Sequence, residues 1–224
     1  MEYKLINPDN YERVIDHLRR NFFADEPLNR AAGLCQQGGG NKELEHHSLA
    51  TLHDQLSLMA VDERDGSETY GQIAGVILNG VLHPGDTEQA LDKLQYSSDI
   101  NYKKIFELLY RHSLQVDLFA RYDVDRIFDV RILSVDSRYR GQGIAKELVK
   151  RAELVARQSG YHLLKADATG IFSQKILRSQ GFEPFSEQLY AKYTNEEGLI
   201  ILPVEAPHIK LQLLTKQLKY DNDK

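Results

Sequence analysis

Two short stretches carry residues able to do chemistry. The first, Asn21-Phe-Phe-Ala-Asp-Glu-Pro-Leu-Asn29, sets two aromatics and two carboxylates beside a proline. Proline biases the preceding Glu26 towards extended backbone and itself suits the first turn of a helix, so Glu26 stands at a rigid helix entry. Taken alone, such a stretch is an ordinary joint between helices, and what Glu26 does there depends on what the rest of the chain binds. The second, LSVDSRYRGQGIAKELV from Leu133 to Val149, ends an apolar strand in a sharp turn and starts an amphipathic helix. The first amides of a helix lack intrahelical acceptors and lie at the positive end of its dipole, so they hold phosphate oxygens well. Gly141 and Gly143 would let a ligand approach that backbone closely. The turn lacks the three spaced glycines of a dinucleotide fingerprint and the Gly-Lys-Ser/Thr of a P-loop.

The surrounding pattern supplies the elements that must position these residues. Val14, Ile15 and Leu18 form one stripe after Asn10, which predicts a helix over 8–20, and a second helix follows Pro27 from Leu28 to Leu34. After a glycine-rich loop comes a polar segment with His46, His47 and His53, read as solvated helix surface because the spacing matches no zinc site. Strands at 57–64 and 70–78 form a hairpin around Asp65-Gly66-Ser67, and apolar spacing from Thr87 to Tyr122 predicts two helices. Residues 127–135 read as a strand, 141–159 as a helix and 161–166 as another strand, hence a right-handed parallel crossover. A helix at 172–179 and strands near 189–193 and 209–218 follow, with a polar tail from Lys219 to Lys224 expected to fray.

At 224 residues the chain can bury a full core without disulfides, and its one cysteine, Cys35, fits a reducing compartment. No apolar run suggests a membrane span and the start lacks a signal-peptide pattern, so a cytoplasmic chain is expected. A net charge of −5 argues against nonspecific nucleic-acid binding.

The combination of Arg138, Gly141 and Gly143 at a strand-to-helix junction resembles the acetyl-CoA motif of the GCN5-related N-acetyltransferase superfamily. The resemblance implies an α/β fold of one domain over 1–224, a mixed twisted sheet flanked by helices and splayed at the acetyl-CoA site. It places the cosubstrate on Leu133, Ser134 and Val135, whose strand would pair with the pantetheine arm. It sets the pyrophosphate on the backbone of Arg140, Gly141, Gln142, Gly143, Ile144 and Ala145, beside Arg138. Lys146, Lys150 and Arg151 could approach the ribose phosphate. No metal is implied.

Phe23-Ala-Asp-Glu-Pro-Leu28, Asp167-Ala-Thr-Gly-Ile-Phe-Ser173 and Gln180-Gly-Phe182 further resemble the insect arylalkylamine N-acetyltransferases, including the dopamine type. By that resemblance Glu26 is the general base, Thr169 and Ser173 are catalytic hydroxyls beside the acceptor and thioester, and Phe22, Phe23 and Asp25 join them in binding the amine. The chain departs from the wider superfamily in having Leu177 where many members place a tyrosine acid, and from the dopamine type in having threonine at the first hydroxyl. The implied reaction is direct acetyl transfer to a small arylalkylamine such as dopamine, serotonin, tryptamine or tyramine, by a monomer. Agmatine or a polyamine is the rival acceptor, for which Glu183 and Glu187 are candidate distal carboxylates, and a silent acyl-CoA-binding regulatory module is the rival of another class.

Overall fold

The computed structural model describes residues 1–220. The chain runs through β1 (Glu2–Leu5), α1 (Tyr11–Asn21), α2 (Pro27–Ala32), α3 (Lys42–Leu52), β2 (Leu58–Val61) and β3 (Ile73–Leu82). Next come α4 (Asp86–Leu94), α5 (Ile100–Ser113), α6 (Leu118–Tyr122), β4 (Ile127–Val135) and α7 (Ile144–Gln158). β5 (Leu163–Ala168), α8 (Ile171–Ser179), β6 (Glu183–Leu189) and β7 (Lys210–Gln217) complete it. The seven strands among the described residues make one sheet in the order β1-β2-β3-β4-β5-β7-β6. All neighbours are antiparallel except β4 and β5, which are parallel across the α7 crossover.

Each face of the sheet buries its own core. α7 lays Ile144, Leu148, Val149, Ala152 and Ala156 against Phe128, Val130, Leu164 and Ala166. On the opposite face α1, α2, α3 and α5 pack Val14, Leu18, Leu28, Leu52 and Ile105 against Val76, Leu78 and Ile132. The feature that matters most for function is a gap. β4 pairs with β5 only from Phe128 to Val130 against Leu164 to Ala166, so the two strands part and, among the described residues, Arg131 to Val135 have no strand on that side.

β4 also carries a bulge at Arg131, where Leu78 and Asn79 of β3 face Ile132 and Val130. A bulge re-aims the side chain of the extra residue. The Arg131 guanidinium lies over Gly80, where a Cβ would stand 2.5 Å from its central carbon, and so glycine is what makes room for it.

Several boundaries differ from the sequence expectation. β1 went unread because four residues with no buried position give no alternation to detect. The strand expected near 189–193 is instead β6 at Glu183–Leu189, an edge strand in which Glu183, Pro184 and Glu187 are exposed, and Tyr190–Lys192 form a short 3-10 turn. Thr87 to Tyr122 hold three helices because Asp117 caps a further one through the Ala120 amide. Of the polar tail, Tyr220 donates from its hydroxyl to the Tyr161 carbonyl at 2.6 Å, and residues 221–224 lie outside those described. Among the described residues no helix is long and apolar enough to cross a membrane.

Candidate active site

Glu26 is fixed from both of its oxygens. Its extended backbone and the following Pro27 begin α2, and Oε2 accepts the Asn29 amide at 2.7 Å, so the residue is a helix cap. Its other oxygen, Oε1, accepts from the Thr169 hydroxyl at 2.6 Å, across the whole fold. Thr169 follows β5 directly, and its own carbonyl accepts from the Tyr190 hydroxyl at 2.6 Å. Burial raises the Glu26 pKa above the ordinary carboxylate value, and the bonds from Thr169 and Asn29 offset this only in part.

Glu26 and Thr169 border a cavity of about 300 Å³ between α2, α3, α5 and the parting strands. Phe22, Leu44, Leu82, Ile105, Phe106 and Ile132 make its apolar body. Its further wall is charged. Asp129 and Arg131 of β4 lie beside Lys165 and Asp167 of β5, with His47 and Tyr110 nearby. Lys165 Nζ contacts Asp167 Oδ2 at 2.5 Å and Asp129 Oδ1 at 3.6 Å, while Arg131 Nε reaches Asp129 Oδ2 at 3.0 Å. Burial alone would depress the Lys165 pKa, but Asp129 and Asp167 outweigh it and hold the ammonium above its usual value. Burial also takes the His47 imidazole down to about 4, which keeps it neutral, and pushes the Tyr110 hydroxyl up to about 12.

The glycine turn lies at the open end of β4. Asp136 caps a short 3-10 turn through the Arg138 amide and binds the Arg138 side chain at 2.7 Å, while that guanidinium also donates to Gln72 Oε1 at 2.8 Å. Gly141 and Gly143 have φ of +79° and +81°, and a Cβ at either would meet no protein atom within 4 Å. Gly143 is the N-cap of α7 and offers no side chain to its first amides. These features fit a phosphate-bearing cosubstrate: left-handed glycines bordering open space, uncapped helix amides, and a strand edge with no partner. Ser134 turns its hydroxyl inwards, 3.1 Å from Nε2 of the buried His17, and its carbonyl faces β3 beside Gly75.

The sequence of residues 118–182 matches the acetyltransferase (GNAT) family. Arylalkylamine N-acetyltransferase 2 from Aedes aegypti is 46% identical, over 97% of this chain and 99% of that one, and superimposes with a TM-score of 0.92. The chain belongs to the GNAT acetyltransferase family. Two more distant structures share the fold of this GNAT acetyltransferase. Mosquito arylalkylamine N-acetyltransferase like 5b is 22% identical with a TM-score of 0.85, and Drosophila melanogaster polyamine N-acetyltransferase is 18% identical with a TM-score of 0.84. Each covers 97% of this chain, which covers 99% of it. The protein is thus an acyltransferase acting on amines, in a family whose acetyl donor is acetyl-CoA.

The residues singled out in this GNAT acetyltransferase fall into three groups. Phe22, Glu26 and Thr169 meet at the cavity. Phe23 is fully buried in the core under α1, Asp25 is exposed and lies 3.6 Å from the Arg140 guanidinium, and Ser173 donates to the Gly170 carbonyl at 2.9 Å in the first turn of α8. Leu133 to Val135 and Arg138 to Ala145 line the open strand edge and the turn. Of the three basic residues on α7, Lys146 and Lys150 are exposed, whereas Arg151 pairs with Glu147 at 2.7 Å and covers the Tyr3 ring. Among the described residues no group of three His, Cys, Asp or Glu is placed to hold a metal.

Tyr190 and the charged wall went unnoticed in the sequence. Their signal was present: Asp129 and Arg131 interrupt an apolar strand and Lys165 and Asp167 another, and charges inside buried strands need partners.

Proposed function

We propose that the protein transfers the acetyl group of acetyl-CoA directly to the primary amine of small arylalkylamines, the class of dopamine, serotonin, tryptamine and tyramine, with Glu26 as general base. The observation that carries this reading is a half-buried carboxylate, bonded to a hydroxyl, at one end of a cavity whose body is apolar and aromatic. An alkylamine has a pKa of roughly 10 and is protonated at neutral pH, without the lone pair needed to attack. Glu26 attracts the ammonium and, with its pKa raised by burial, is a better proton acceptor than an ordinary carboxylate. The Thr169 hydroxyl already donates to Glu26, so its oxygen is left to accept from the amine. A proton can then pass from nitrogen through that hydroxyl to the carboxylate.

When bound on β4 and the glycine turn, acetyl-CoA supplies the acetyl group as an activated thioester. The chain's part is to hold the deprotonated nitrogen in place, which is enough for transfer without a covalent enzyme intermediate. Ser173 keeps its proposed place as a donor beside the reacting groups, for which it exchanges its bond to the Gly170 carbonyl. A monomer suffices, since one chain contributes every group named.

Support for the aryl class over agmatine comes from the apolar and aromatic body of the cavity, and from a far wall whose carboxylates, Asp129 and Asp167, are already paired with Arg131 and Lys165. Glu183 and Glu187, the distal carboxylates first considered, do not line the cavity, and Glu187 is paired with Lys210 at 2.6 Å. Burial of an aromatic ring contributes about 25 cal/mol per Å² of apolar surface, so phenethyl and indolyl amines should exceed short alkylamines in kcat/KM by one or more orders of magnitude. An acetyl-CoA assay following free thiol across aryl and aliphatic amines measures this. Agmatine outperforming tryptamine and tyramine would sink the arylalkylamine assignment, and no release with any amine would sink the catalytic one.

A further inference from the structure

Thr169 carries the hydroxyl that meets Glu26, and its peptide is held from behind by side chains that do not line the cavity. β5 ends at Ala168, and α8 begins at Ile171 after Gly170, which caps the helix without a side chain. Two side chains donate to the carbonyls of this connection. Gln174 Nε2 donates to the Ala168 carbonyl at 3.0 Å and to the Lys210 carbonyl at 2.8 Å, and so ties the end of β5 to the start of β7. The Tyr190 hydroxyl, reaching in from the turn after β6, donates to the Thr169 carbonyl at 2.6 Å. Gln174 and Tyr190 are both buried. On its other side the connection runs against the start of α2, where a Cβ at Gly170 would stand 3.2 Å from Pro27 Cγ.

Fixing that peptide fixes the hydroxyl. A threonine is branched at Cβ and has few χ1 settings, so once its backbone is set its Oγ1 has few places to go. Oγ1 donates to Glu26 Oε1 at 2.6 Å, and while burial raises the Glu26 pKa, this bond lowers it. Tyr190 suits the task as a fixed donor. Burial and the Glu26 charge both hold its phenol above the usual value, so it keeps its proton, and that proton is already given to a carbonyl. Without it the Thr169 carbonyl, set against a buried ring, would lose its partner and the peptide would turn to find another. We infer that Tyr190, with Gln174 beside it, is a positioning residue for acetyl transfer: it holds the Thr169 peptide so that the hydroxyl stays on Glu26. This inference rests on the reading of Glu26 as the base and adds the groups that set its partner.

The pH profile of kcat/KM for tyramine, measured on the full chain and on Tyr190→Phe, tests it. Phenylalanine keeps the ring in the core and removes only the oxygen. With Thr169 loosened, Glu26 loses part of the bond that lowers its pKa. The acid limb should therefore move up by about one pH unit and kcat should fall on the order of tenfold, while KM for acetyl-CoA stays as it was. Glu26 otherwise meets the amides of Asn29 and Leu28 and, among the described residues, no charged partner, so the limb reports the Thr169 bond. In Thr169→Val the limb should already stand at the higher pH, and adding Tyr190→Phe should move it no further. A lower kcat with the limb unmoved is what a purely structural tyrosine would give, and it overturns the inference, as does a further shift in the double variant. Should Tyr190→Phe fail to fold, as circular dichroism would show, Gln174→Met takes the donor from the adjoining Ala168 carbonyl, and the same limb and outcomes decide. A wild-type profile with no acid limb removes the Glu26 reading and this one together. A wild-type limb that Tyr190→Phe does not shift leaves Glu26 as the base and removes only this one.

Discussion

Replacing Glu26 with glutamine lowers kcat for acetyl transfer by roughly 10²–10⁴-fold, the span expected when a general base is lost. Acetyl-CoA affinity stays near the wild-type value, because the turn that would hold it is a separate element. Glutamine preserves the shape of the site. Its carbonyl can take the Asn29 amide that Oε2 takes now, at 2.7 Å, so α2 keeps its cap. Its NH₂ cannot accept a proton from Thr169 or from an amine. If capping were all that Glu26 did, the exchange would alter stability by about 1 kcal/mol at most and leave turnover alone. Thiol release at saturating substrates, with calorimetry for the cosubstrate, separates these cases, and near-wild-type turnover would remove Glu26 from the mechanism.

The second large effect is expected at Gly143→Val. A valine at φ of +81° is strained, and its branched side chain would project into the open space in front of the first amides of α7. Those amides would lose their phosphate partners, each charge-assisted bond being worth about 1.5–3 kcal/mol, so affinity for CoA should fall on the order of 10²-fold. Because a Cβ there touches no protein atom within 4 Å, the cost to the fold is confined to the backbone strain of the turn, about 1–3 kcal/mol. Calorimetry should record the weakened binding beside an unchanged circular dichroism spectrum. Unchanged affinity would place the phosphates elsewhere.

What could be read in advance depended on whether a feature is local. The glycine turn and the crossover were legible because strand, turn and helix follow one another between Ile127 and Gln158, and each leaves its own period in the sequence. Glu26 was legible as a cap from the neighbouring proline, and as a base only by resemblance. Its bond to Thr169 joins residues far apart in the chain, and no local pattern announces it. The charged wall is of the same kind. Asp129 faces Lys165 only because the parallel register of β4 and β5 puts them side by side, and that register is a property of the folded sheet. Phe23 misled for a related reason: Phe22 and Phe23 are adjacent in sequence, but at the end of α1 they diverge, one to the cavity and the other to the core.

A catalytic role for Glu26 depends most directly on the state of one proton. Burial holds the Glu26 pKa above that of an ordinary carboxylate, so Glu26 is protonated, and unable to act as a base, at pH below that raised value. The pH profile of kcat/KM for an arylalkylamine should therefore show an acid limb in the wild type, with activity falling as pH drops through the raised pKa. Ionisation of the amine is common to every variant and cancels in the comparison. In Glu26→Gln the residual activity should lack that limb. An acid limb of the same midpoint in both proteins would contradict a catalytic role for Glu26 and return it to the end of α2 as a cap.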